Sequence, residues 1–207
     1  MLNRTKLLLS MLFLGVLTAC GSDKTVNIEM LTDAGAIQFE LYEEKAPITV
    51  GNFLRYVDAG YYDGASFYRV VRQDNQMQNA VKIDVIQGGL GMDNSTKYFP
   101  AIPHETTEQT GVKHVVGAIS MGRLEPGTAD SEFFITVTSQ PELDFGGKRY
   151  PDGQGFAAFG KITQGLGVVQ KIQMLPTDMP KEGKALEYTS GQLLLEPVRI
   201  LSVKRLN

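Results

Sequence analysis

Cysteine is nearly missing: Cys20 is the single one in 207 residues. That excludes a disulfide framework and any Cys-based metal site, so the folded part of the chain rests on its own apolar core. Histidine is almost as scarce, with only His104 and His114. Their spacing fits no zinc motif, and both read as structural or surface residues. There is no block of basic residues, and the formal net charge is -3. Nucleic acid is therefore excluded as an expected partner. Beyond the N-terminus no apolar run is long enough to span a bilayer as a helix.

What is present starts with the leader. "MLNRTK" carries positive charge, "LLLSMLFLGVL" is an apolar run, and "TAC" follows with small residues. This is the layout of a secretory signal. "LTAC", Leu17 to Cys20, resembles a bacterial lipobox, which implies cleavage before Cys20 and lipid on its thiol and new amine. The alternative is an ordinary signal peptide with an incidental cysteine. The expectation is a lipoprotein signal peptide at 1–19, a lipidated tether at 20–25 and one domain at 26–207. Two or more acyl chains hold a protein firmly where one is marginal. The protein is then extracytoplasmic and anchored to a membrane through Cys20. Gly21, rather than Asp, points to the outer membrane if the cell is Gram-negative.

The domain reads as mainly β. "VNIEML" and "AIQFELY" alternate at period two around the turn Asp33 to Gly35, a hairpin. "KAPITVGNFLRYVDAG" then shifts to helical spacing, with Val50, Phe53, Leu54 and Val57 on one face. Pro47 suits the first turn, and a helix is predicted over Pro47–Ala59. "SFYRVV", "VKIDVIQGG", "VVGAISM", "EFFITVT", "GFAAFGKI" and "LEPVRILSVKRL" read as strands. "LGVVQKIQML" reads as a second short helix. Many strands and two helices predict an antiparallel β-barrel or sandwich, with the first hairpin and last strand covering each other's edges.

The chain resembles the cyclophilins, a family of peptidyl-prolyl cis–trans isomerases. The resemblance rests on "AP.TV.NFL.YV..GYYDG..FYRV" from Ala46 to Val70, "IQGG" from Ile86 to Gly89 and "GAISM" from Gly117 to Met121. It continues through "SEFFIT" from Ser131 to Thr136, Leu143-Asp144 and "FAAFGKI" from Phe156 to Ile162. It implies a closed eight-stranded antiparallel barrel capped by two α-helices. It also implies proline-containing polypeptides as substrates and no cofactor. A monomer is the default expectation.

Prolyl isomerisation crosses a barrier of ~18–20 kcal/mol set by amide resonance. No bond is made or broken, so neither nucleophile nor metal is required. A donor aimed at the twisted amide, a dry pocket for the ring and a grip on the flanking chain suffice. Arg69 matches the family's catalytic arginine, and a guanidinium offers donors in a rigid fork. Read alone, it is a strand arginine paired with a carboxylate across the barrel. Phe134 stands among threonines on one face of its strand, opposite Phe133, Ile135 and Val137. It matches the proline-pocket phenylalanine. Gln87 matches the glutamine that grips substrate backbone, and Gly88-Gly89 let chains approach closely. Tyr68, Met121, Leu143 and Phe156 are carried over as substrate-binding positions. Each of the last three, taken alone, reads as core.

The chain departs from the family pattern at several points. Arg69 and Gln87 lie eighteen positions apart, with a polar surplus of about "RQDNQMQNAV" between them. Asp84 stands where a pocket phenylalanine is expected, leaving a gap that Met77 is a candidate to fill. Glu132 replaces a usual glutamine, which adds negative charge beside Phe134. These acids favour a rival reading, a cyclophilin-like module that binds proline segments with little turnover. A third reading is a small-ligand carrier on a β-barrel, against which the two helices and the ordered motifs speak. Glu142 replaces an aromatic that contributes to cyclosporin binding in the family. Weak cyclosporin inhibition is therefore expected. A titration showing tight inhibition would overturn this.

Overall fold

The computed structural model describes residues 24–91, 98–178 and 189–206. The leader, Cys20 and the head of the tether lie outside the described residues. The first alternating segments form β1 (Thr25–Thr32) and β2 (Gly35–Tyr42), in register from Thr25 opposite Tyr42 to Thr32 opposite Gly35. Their inward side chains, Ile28, Met30, Ile37, Phe39 and Leu41, are fully buried. The Thr32 hydroxyl closes the turn, donating to the Gly35 carbonyl and accepting from the Ala34 N–H.

Next come α1 (Pro47–Asp58), β3 (Ser66–Val71) and β4 (Val85–Gly89). A single turn, α2 (Thr107–Thr110), precedes β5 (Ala118–Met121) and β6 (Phe133–Thr136). The chain ends with β7 (Ala157–Gln164), α3 (Leu166–Gln173), a two-residue β8 (Thr177–Asp178) and β9 (Leu193–Arg205). All pairings are antiparallel, in the order β1-β2-β7-β5-β6-β4-β3-β9, and β9 returns to β1. The ring is thus a closed eight-stranded barrel, with β8 appended beside β9. Closure removes the open edges an eight-stranded sheet would otherwise expose. The barrel interior is aromatic: Phe53 of α1 lies 5.0 Å from Tyr62, 5.6 Å from Phe133 and 5.3 Å from Phe159. α1 packs on β2, β7 and β9, and α3 on β2, β3 and β4.

Two strands carry the register breaks that shape the outer surface. Opposite β4, Phe67 pairs with Gly88 and Arg69 with Gln87, so Tyr68 is an extra residue on β3. An uninterrupted strand would put Phe67, Arg69 and Val71 on one face. With the bulge, Phe67 and Val70 point into the barrel, and Val71 joins a second apolar cluster outside it. Opposite β9, Phe67 pairs with Val198 but Arg69 with Leu193. Residues 194–197 of β9 thus stand against Tyr68 alone, and this register break brings Gln192 up to β3, where its main-chain carbonyl accepts from the Val70 N–H.

The N-terminus of α1 has no local cap, since Ala46 precedes Pro47 and the first turn holds no acid. Glu105 supplies one from far along the chain. Its carboxylate accepts from the N–H groups of Ile48 (3.2 Å) and Thr49 (2.7 Å) and from the Thr49 hydroxyl (2.6 Å). The next residue, Thr106, opens α2 with a capping box to Gln109. Glu105→Ala is expected to cost about 1–2 kcal/mol, the range for losing a helix cap. Urea denaturation reads this directly. A loss within a few tenths of a kcal/mol would show that water replaces the cap.

Candidate active site

The register brings the predicted residues together. Arg69 lies opposite Gln87, Gln87 opposite Phe134, Phe134 opposite Ser120, and Ser120 opposite Ala158. Cross-strand neighbours sit roughly 4.5–5.5 Å apart. One row thus crosses five adjacent strands on the barrel's outer wall, with Arg69 and Gln87 at its polar end and Phe134 at its centre.

The polar end is a chain of hydrogen bonds running one way. The Arg69 Nε and Nη2 donate to Oε1 of Gln192 at 2.9 and 2.6 Å, and Nη1 donates to Oε1 of Gln87 at 2.7 Å. Gln192 is fully buried and turns its amide N–H to the Asn75 carbonyl. The Gln87 Nε2 donates to the Tyr68 hydroxyl at 2.8 Å, and Tyr68 donates a short bond to Glu132. Each donor polarises the next, so the bonds strengthen one another. Glu132 also accepts from the Gly91 N–H and the Ser131 hydroxyl. Burial, then the Glu132 charge, holds the Tyr68 phenol well above its usual range, so it keeps its proton. Burial pushes the Glu132 carboxyl up, against these hydrogen bonds. Gly89 makes room for it: a Cβ there would come within 2.4 Å of Glu132 Oε1.

The apolar end is a cluster of Val71, Ile83, Val85, Phe134, Leu143 and Phe156, with Tyr150 half-buried against it. Phe156 meets Phe134 edge-on at 5.4 Å, and Tyr150 meets Phe156 edge-on at 6.0 Å. The Arg123 guanidinium lies 5.0 Å from the Phe156 ring and is held by Asp152 and the Gly155 carbonyl. The fully buried His114 ring stacks on Phe134 at 5.8 Å. Its Nδ1 bonds to Asp144 Oδ1 (2.7 Å) and its Nε2 to the Ser120 hydroxyl (3.0 Å). Burial pushes the His114 pKa down despite Asp144. Asp144 is burdened by burial but held below the usual carboxylate range by two bonds from His114. The neutral tautomer carrying Nδ1–H donates to Asp144 and accepts from Ser120. Ser120, His114 and Asp144 have the order of a nucleophilic triad. Ser120 and His114 are 0 % and 1 % exposed behind Phe134, so no substrate carbonyl reaches them, and they brace the aromatic floor instead.

Arg69, Gln87, Tyr68, Phe134, Leu143 and Phe156 therefore share one outer wall. Met121 does not join them. It falls in step with Ile119, points into the barrel and is 1 % exposed among core residues. Asp84 turns from the apolar cluster and accepts from Gln73 (2.7 Å) and Thr138 (3.3 Å). Its neighbours Ile83 and Val85 point the other way, into the cluster. The gap left by Asp84 is filled by Ile83, while Met77 is 83 % exposed and fills nothing. Sequence reasoning also missed Gln192, Val71, Tyr150 and Arg123. Val71 and Val85 were legible from alternation about Arg69 and Gln87. Gln192 was not, because a register break and not a motif brings it to Arg69. Among the described residues no three His, Cys, Asp or Glu side chains gather as a metal site.

Residues 26–204 match the family described as cyclophilin type peptidyl-prolyl cis-trans isomerase/CLD. The chain is 32% identical over 206 residues to a peptidyl-prolyl cis-trans isomerase of Acinetobacter baylyi, covering 99% of this chain and 96% of that one. It is 33% identical over 185 residues to peptidyl-prolyl cis-trans isomerase A of Dickeya dadantii, 88% of each. It is 30% identical over 164 residues to peptidyl-prolyl cis-trans isomerase B of Escherichia coli, 75% of this chain and 93% of that one. A crystal structure of a Cryptosporidium parvum cyclophilin type isomerase superposes with a TM-score of 0.65 at 20% identity, covering 89% of this chain and 99% of that chain. A second structure of that protein was obtained in the presence of the dipeptide Ala-Pro. At such identity the likeness is one of fold.

The raised Glu132 carboxyl links stability to pH. An unfolded glutamate titrates near ~4.3, whereas the folded protein keeps the Glu132 proton to higher pH. Its contribution is therefore fully present below the unfolded value and is lost as pH rises through the folded one. Glu132→Gln cannot ionise and still accepts from Tyr68. The stability of the variant relative to wild type is expected to improve as pH rises from about 4 to about 8. Urea titrations at several pH values check this, and a difference that stays flat with pH would rule it out.

Proposed function

We propose how this chain, which belongs to the cyclophilin-type peptidyl-prolyl cis–trans isomerase family, turns a prolyl bond and where it does so. The chain is a peptidyl-prolyl cis–trans isomerase. The observation that carries the mechanism is the single row of Arg69, Gln87 and Phe134 across adjacent strands. In this reading the proline ring of an extracytoplasmic polypeptide rests on Phe134, flanked by Leu143 and Phe156. Gln87 grips the substrate backbone, and the Arg69 guanidinium donates to the prolyl amide as its conjugation is lost.

The energetics are consistent with so small a machine. Uncatalysed isomerisation takes tens to hundreds of seconds. An ordinary turnover of ~10–10³ s⁻¹ requires about 4–7 kcal/mol less barrier. One preorganised donor supplies roughly 3–4 kcal/mol. Its preorganisation comes from Gln192 and Gln87, which hold the guanidinium plane before substrate arrives. The dry apolar floor supplies the rest by excluding water from the twisted amide.

The setting is the cell envelope. The leader layout and the "LTAC" stretch support lipidation of Cys20, with the domain acting as a monomer on the outside of the membrane that holds it. The anchor concentrates the isomerase where exported chains fold. This rests on the sequence alone, and mass spectrometry of the processed N-terminus for a lipidated Cys20 tests it.

Replacing Arg69 by alanine is expected to lower kcat/KM for a proline peptide by about 10²–10³, the effect of removing one transition-state donor. A protease-coupled assay reads this, with circular dichroism to confirm folding. Wild type no faster than the variant would mean that Arg69 is not the catalytic donor. Peptide binding without turnover would favour a proline-segment chaperone.

A further inference from the structure

Two segments flank the apolar cluster, and they are tied to each other. The first is the polar stretch 72–84, which lengthens the path from Arg69 to Gln87. The second is 145–155, "FGGKRYPDGQG", between Asp144 and Phe156. In the first segment Gln76 is fully buried. Its side-chain amide pairs with the main chain of Ile83 as a neighbouring strand would. Nε2 donates to the Ile83 carbonyl at 2.7 Å, and Oε1 accepts from the Ile83 N–H at 3.1 Å. Nε2 also donates to the Arg72 carbonyl at 2.7 Å. Arg149 of the second segment completes the set. Its Nη1 donates to Gln76 Oε1 at 2.9 Å and to the Val81 carbonyl at 2.5 Å.

The consequence lies in the apolar cluster. Ile83 is 7 % exposed against Val71, Val85, Phe134, Leu143 and Phe156. Tyr150, next to Arg149, meets the same cluster from the other side. A polar loop would not by itself press an isoleucine onto a surface cluster, because backbone at a loop tip is normally solvated and loosely held. Here both polar groups of the Ile83 backbone are satisfied by a glutamine that is itself fixed by an arginine. The side chain is aimed as firmly as one in a sheet.

We propose that segments 72–84 and 145–155 form one clasped arch, in which Arg149 and Gln76 are positioning residues that set Ile83 as a substrate-binding wall of the proline pocket. The inference rests on the proline-binding reading of this cluster. Ile83 does in this chain what the residue at Asp84 was expected to do, from the neighbouring position and the opposite face. The wall contacts the proline ring in ground and transition states alike, so it acts on KM and leaves kcat alone.

The test is steady-state isomerisation of an Ala-Ala-Pro-Phe peptide by the full chain, with kcat and KM separated. Ile83→Ala is expected to raise KM about tenfold, as for truncating an apolar subsite. Ile83→Val, which keeps the packing nearly intact, is expected to raise it in the same direction by about twofold. Arg149→Ala is expected to raise KM about threefold to tenfold with kcat within about twofold, and Arg149→Lys to restore most of it. The decisive measurement is Arg149→Ala in the Ile83→Ala background, where it is expected to have no further effect on KM. An equal effect in both backgrounds, or a loss confined to kcat, overturns the proposal, because a merely structural arginine behaves so. Arg69→Ala, run in parallel, separates the two readings. If it abolishes turnover while the Arg149 and Ile83 variants match wild type, only the arch fails. If it matches wild type, the parent reading fails and takes the arch with it.

Discussion

One extra residue in β3 decides what this surface can do. Without the bulge at Tyr68, strand alternation would send Arg69 into the barrel beside Phe67. There a guanidinium would meet Phe133 and Ile86 with nothing to offset its desolvation. The bulge reverses the pleat, so Arg69 comes out on the wall that carries Gln87 and Phe134. Bulges recur beside active sites because they re-aim a side chain without disturbing the core. Everything else at the site responds to this reversal. The register break in β9 delivers Gln192 to the guanidinium, and Tyr68, freed from the ladder, links Gln87 to Glu132.

The site is rigid for two different reasons at its two ends. At the polar end, direction is enforced by hydrogen bonding. Gln87 accepts from Arg69 through its oxygen and donates to Tyr68 through its nitrogen, so its amide has one orientation. At the apolar end, shape is enforced by packing, with Phe134 held between the His114 ring and the edge of Phe156. A reaction that only twists a bond gains from such stiffness, since the groups that stabilise the twisted amide need not reorganise when it forms.

The fold was largely legible in the sequence because its signals are periodic. β1, β2 and the apolar face of α1 follow directly from spacing, and the split of Phe133, Ile135 and Val137 from Phe134 follows from alternation. What escaped depends on broken periodicity. Met121 was assigned to the pocket because its neighbours match a motif, yet its parity with Ile119 puts it inside the barrel. Asp84 looked like a missing wall because the stretch 72–84 hides which neighbour faces the cluster. Gln192, Gln76 and Glu105 act over long sequence distances through polar side chains, and no local pattern marks such residues in advance.

The seam that closes the barrel joins the first strand to the last. β1 pairs with β9 from Ile28 opposite Arg205 to Thr32 opposite Ile200, and β9 pairs with β3 along its other half. Until residues 193–205 dock, one edge of β1 and one edge of β3 face water instead of a partner strand. Pairing over nearly the whole sequence is slow, and open strand edges invite association with other chains. The strand edges that the closed barrel hides are thus the same ones left open until residues 193–205 are paired.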